Sequence, residues 1–177
     1  MTSGLDIFGQ TIITGNLILV QGLGLYALTR YTRSVKDATW RGLSTFVAMC
    51  MGGVLLWLFQ GIKPTSLSVE VGYYLVIATV AALLSYLVLG RRVCLEDALM
   101  DSALVGLLLL MGRDGVTGAY SLSVAFGAGL GYALTLVVMA TLRQRLDLAP
   151  VPKALKGTPI LLITAGLLAI ALLGFRL

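Results

Sequence analysis

Few side chains in this sequence can do chemistry, and most fall in two short stretches. The first is NLILVQGLGLY, residues 16–26, where Asn16, Gln21, Gly22, Gly24 and Tyr26 stand among apolar residues. The second is MDSALVG, residues 100–106, with Asp101 and Ser102. Two glycines one residue apart can open a helix, and the amides beside them can satisfy the carbonyls so freed or bond across to a neighbour. Such a break near the middle of a bilayer is a place where small ions or solutes bind. The bland reading of Gly22 and Gly24 is close helix packing alone, which is the reading that suits Gly127, Gly129 and Gly131. Asp101 has two readings as well. At membrane depth it needs a partner, a bound proton or water, and marks a cation or proton site. At the interface, beside Glu96 and Asp97, it is an ordinary solvated acid.

Much other chemistry is excluded. The sequence has no histidine, so neither histidine-held haem nor a histidine general base is available. Its two cysteines, Cys50 and Cys94, form no CxxC motif and fall at different expected depths, which argues against a disulfide. There is no phosphate-binding glycine loop after a strand and no nucleophile elbow, so an isolated enzyme is not expected.

The elements that position these residues follow from composition. The chain has 177 residues, 58% hydrophobic and 12% charged. Soluble domains carry about 25% charged residues, and a chain this short cannot bury so much apolar surface in water. An all-α integral membrane protein follows. A span takes about 20 apolar residues, and six candidates occur at about 7–29, 42–61, 71–89, 98–112, 119–141 and 159–175. The fourth is short. The prolines, at 64, 150, 152 and 159, fall in loops or at span starts, where they are tolerated. The opening MTSGLDIFGQ carries no Lys or Arg and so lacks the basic region of a signal peptide.

The net charge of +5 belongs to the loops. Arg30, Arg33, Lys36, Arg41, Arg91, Arg92, Arg143, Arg145, Lys153 and Lys156 fall on one side, and Lys63, Arg113 and Arg176 on the other. Basic residues collect in cytoplasmic loops, so both termini are expected outside. With no basic stripe interleaved with aromatics, nucleic acid is not an expected partner. Six spans divide into three plus three of opposite orientation, the setting for an inverted repeat, with a first repeat at about 7–89 and a second at about 98–175. The irregular spans, one and four, then correspond.

The motif NLILVQGLGL resembles the first span of the Rnf/Nqr membrane subunits of ion-translocating electron-transport complexes. The end of the chain matches more closely. GYALTLVVMATLRQRL (131–146) and VPKALKGTPILLITAGLLAIALLGF (151–175) resemble the RnfA/NqrE-like member of each sister pair. The match includes the polar connections LRQRL and VPKALKG, which apolar composition alone does not produce. The resemblance implies a multi-pass protein of the prokaryotic inner membrane. It implies an RnfE/NqrD-like sister and further subunits carrying flavin and iron–sulfur groups. It also implies that spans one and four are broken near the midplane and hold two cysteine ligands of a [2Fe-2S] cluster shared with the sister. The ligand positions here are Tyr26, after GLGL, and Ser102, in MDSALVG. Cluster iron prefers thiolate, so neither is expected to bind iron and no cofactor or metal is expected in this chain.

The expected function is a membrane subunit of an Rnf/Nqr-like complex coupling redox chemistry to ion movement. It would be a non-catalytic component with a scaffold or ion-path role, using Asn16, Gln21, Gly22, Gly24 and Asp101. The alternative is a cluster-free membrane transporter or accessory protein that keeps the fold. Tyr26 is expected to fill the space of the missing cluster, its hydroxyl meeting a partner such as Ser102.

Overall fold

The computed structural model describes residues 16–59, 67–89, 101–116, 118–150, 152 and 155–174. Six helices occur among them: α1 (Leu25–Tyr31), α2 (Val35–Leu58), α3 (Leu67–Leu89), α4 (Ser102–Arg113), α5 (Ala119–Leu148) and α6 (Thr158–Gly174). No strand occurs among the described residues. Three helices, α2, α3 and α5, are long and apolar enough to cross a bilayer. At about 1.5 Å per residue, the 30 residues of α5 exceed the roughly 30 Å hydrocarbon core. Its last turns, with Arg143, Arg145 and Asp147, are its charged end. The 12 residues of α4 span only about half that core.

The most extensive packing is between α2 and α5. It is antiparallel, and small residues let the backbones close. A Cβ on Gly42 would lie 3.0 Å from the Ala133 Cα, one on Gly53 2.7 Å from the Ala125 Cβ, and one on Gly129 2.8 Å from the Phe46 ring. This is the small-residue approach of helices in a bilayer, where association rests on packing rather than on expelling water. Gly129 thus has the packing role its sequence context suggests. Around this pair sit α3, α4 and α1, and α6 touches α5. The outward faces of α3 and α6 are apolar, with Val76, Leu87, Leu167 and Ile170 each more than 60% exposed. That suits acyl chains as solvent.

The first expected span differs most from a plain helix. Residues 1–15 lie outside the described set, as do Glu96, Asp97 and Cys94. From Asn16 to Gly24 the chain runs in turns, with Gly22 at φ 68° and Gly24 at φ 80°. Both angles lie in the left-handed region that glycine alone enters cheaply. Helix α1 starts only after Gly24 and lasts two turns. Its end is held from α5. Arg143 donates from Nη1 to the Thr29 carbonyl (2.9 Å) and to the Thr32 Oγ1 (3.0 Å). A basic residue at the charged end of a span ordinarily meets lipid headgroups. The described partners of Arg143 are instead the open carbonyl end of α1, a favoured place for a cation.

Candidate functional site

The turn segment 16–24 and the start of α4 meet against the middles of α2 and α5. Asp101 is the N-cap of α4, and its Oδ1 accepts from the Ala103 N–H at 3.1 Å. Its Oδ2 accepts from the Thr45 hydroxyl of α2 (2.7 Å) and the Tyr132 hydroxyl of α5 (3.0 Å). One carboxylate therefore ties three helices together. Thr45 and Tyr132 both lie near the centres of their helices. Asp101 is level with the middle of the two longest apolar helices, so of its two readings the geometry favours depth over the interface.

Asn16 makes a second clasp. Its Oδ1 accepts from the N–H groups of Ile18 (3.1 Å) and Leu19 (3.2 Å). Its Nδ2 donates to the Thr135 Oγ1 (2.7 Å) and the Gly131 carbonyl (3.3 Å) of α5. The buried amide thus closes a turn and anchors it to a spanning helix, as the chain needs where backbone leaves the helical pattern inside lipid.

The other site residues separate. Gly24 is buried, its N–H donates to the Ser102 Oγ at 3.1 Å, and a Cβ there would meet the Tyr132 ring at 2.9 Å. Gly22 has nothing within 4 Å of such a Cβ and serves only the turn. Gln21 is exposed, away from both clasps. Tyr26 is 41% exposed, edge-on to Tyr31 (6.4 Å between centroids) with the Arg30 guanidinium 5.7 Å from its ring. The Tyr26–Ser102 pairing expected from sequence is replaced by Gly24–Ser102, because α1 turns the tyrosine outward. Sequence reasoning missed Thr45, Tyr132 and Thr135. The available signal was a hydroxyl in the middle of each long apolar span, since such groups in lipid need partners.

The whole chain then answers to known sequences. The family model described as "Rnf-Nqr subunit, membrane protein" matches residues 5–177. The chain belongs to that family. Among relatives of this Rnf-Nqr chain, a protein of Syntrophotalea carbinolica is 34% identical over 176 residues, covering 93% of this chain and 91% of the relative. One of Azotobacter vinelandii is 33% identical over 190 residues, covering 99% and 97%. Both are named as the RnfA component of an ion-translocating oxidoreductase complex. The Rnf-Nqr chain is accordingly a multi-pass membrane protein of a family of electron-transport and ion-translocation subunits.

The residues at the two positions matched to cluster ligands do not suit a [2Fe-2S] centre. Both present oxygen where iron favours thiolate. The Ser102 Oγ is engaged by a backbone N–H, and the Tyr26 ring is turned to Tyr31 and Arg30. Cys50, on α2, is partly buried and away from both positions in the chain.

Proposed function

We propose that this chain is the RnfA-type membrane component of a redox-driven, ion-translocating complex, and that it holds no half of a membrane iron–sulfur cluster. The family match over nearly the whole chain supports the first part. The second rests on one observation: the Ser102 Oγ accepts a hydrogen bond from the Gly24 N–H where a thiolate would have to face iron. The six spans form a 3+3 inverted repeat, 7–89 and 98–175, with both termini outside and the cytoplasmic side carrying most of the Lys and Arg. Exposed Leu25, Tyr26 and Ser102 mark the face that meets an RnfE/NqrD-like sister. Further flavin and iron–sulfur subunits complete the assembly in the inner membrane of a prokaryotic cell. The role of this chain is to scaffold that assembly and to contribute an ion path past Asn16, Gly24 and Asp101.

Affinity purification through this protein from its own membranes, followed by mass spectrometry, tests the assignment. Flavin- and iron–sulfur-bearing subunits are expected, together with a second six-span protein. Isolation with a solute-binding protein or an ATPase instead would favour a transporter that keeps only the fold.

A further inference from the structure

Beside Asp101, the helices α2 and α3 and the start of α4 enclose a cavity of about 10 Å³. Arg41, Ser44, Thr45, Ser85 and Asp101 line it, with Leu104 as an apolar wall. One water needs roughly 10–15 Å³ by this measure, so the space admits one water-sized guest and nothing larger. Its walls are polar and deep. Ser44 is 5% exposed and Ser85 1%. The Ser85 hydroxyl is already spent on the Ala82 carbonyl at 2.8 Å. The Ser44 hydroxyl makes no hydrogen bond to another described residue, and a buried hydroxyl without a partner is costly.

Hydrogen-bond arithmetic narrows the guest. An ionised carboxylate has about four acceptor sites. Three of those on Asp101 are taken, by Thr45, Tyr132 and the Ala103 N–H. The remaining one calls for a donor. Arg41 supplies opposite charge at the same cavity, its guanidinium 4.3 Å from the Tyr31 ring centroid. Asp101 and Arg41 together are neutral. An alkali cation added to them would leave an unbalanced positive charge in apolar surroundings, facing a carboxylate whose oxygens already serve three donors.

We propose that this cavity binds one water molecule, donating to Asp101 and accepting from Ser44 or Arg41, as a neutral protic site and not a sodium or other alkali-cation site. The chemistry stands on these residues alone. Only its purpose rests on the proposed function: along an ion path, such a site suits a proton.

Two measurements test it. The first is cryo-electron microscopy of the purified complex, at a resolution that shows water, in sodium buffer and in choline buffer. One peak at about 2.7–3.2 Å from Asp101 and Ser44, the same in both buffers, is expected. A peak present only with sodium, or an empty cavity in both, would overturn the proposal. The second is thermal unfolding of the single chain in detergent, with sodium and choline chloride compared at equal ionic strength. No sodium-specific shift is expected. A rise of the midpoint with sodium that Asp101→Asn abolishes, or Thr45→Val if that variant does not accumulate, would also overturn it. The second measurement needs no partner subunits, so failure of the assembly reading and failure of the water site register separately.

Discussion

Two clasps fasten irregular backbone to the long helices, and they use different side chains for the same job. At Asn16 a neutral amide closes a turn with its oxygen and reaches Thr135 and Gly131 with its nitrogen. At Asp101 a carboxylate caps α4 with one oxygen and receives Thr45 and Tyr132 with the other. The amide both gives and accepts, and it carries no charge. The carboxylate only accepts, has one acceptor site to spare and borders a polar cavity with an arginine. Asn16 shows that closing a turn at depth does not require charge. The acid at residue 101 therefore provides something beyond capping, and an acceptor shared between three helices and a water-sized space is what the structure offers.

The largest effect that could break this comparison is expected at Asp101. Asp101→Ala removes a cap and leaves two buried hydroxyls without their acceptor, a loss of about 3 kcal/mol or more. Reversible unfolding in mixed detergent would read this as lost stability. A variant as stable as wild type would mean the three bonds hold little.

Gly24 and Gly22 give the next contrast. Gly24→Ala combines left-handed backbone with a Cβ pressed on the Tyr132 ring, and a loss of about 3 kcal/mol is expected. Gly22→Ala meets open space and carries only the backbone cost, about 1–2 kcal/mol. Equal losses in the same unfolding assay would contradict the contact between Gly24 and Tyr132.

Exchanging the two clasp residues sharpens the point. Asn16→Asp loses the donor to Thr135 and sets a carboxylate oxygen against the Gly131 carbonyl, for about 2 kcal/mol. Asp101→Asn keeps an oxygen for the Ala103 N–H and is expected to cost about 1 kcal/mol. The asymmetry is the prediction, and the reverse order in chemical or thermal unfolding would refute it. The smallest effect is at Tyr26, whose exposed ring makes its described contacts through its face and edge. Tyr26→Phe is expected to change the stability of the chain by less than about 0.5 kcal/mol. A larger loss would revive the hydroxyl partner expected from sequence.

Much of the fold was legible because apolar runs and their polar ends are local signals. The expected spans at 42–61, 71–89, 119–141 and 159–175 overlap α2, α3, α5 and α6. The short fourth span corresponds to α4, whose start at Ser102 follows from Asp101 as a favoured N-cap residue. The Gly-Leu-Gly break was legible for the same reason, since glycine is the residue that tolerates positive φ. What surrounds Asp101 was not legible. Thr45 lies 56 residues before it and Tyr132 31 residues after it, and only helix packing brings them together. The outward turn of Tyr26 was hidden too, because it depends on where α1 begins relative to Gly24.

The central claim is that this member of the family takes part in the complex without thiolate ligands at residues 26 and 102. The most direct measurement is iron and acid-labile sulfide content with low-temperature electron paramagnetic resonance, on the complex purified through this protein. The account predicts redox partner subunits in the sample and no [2Fe-2S] signal that depends on a cluster shared with this chain. A [2Fe-2S] signal that disappears when the sister's cysteines are replaced, with Tyr26 and Ser102 in place, would contradict it.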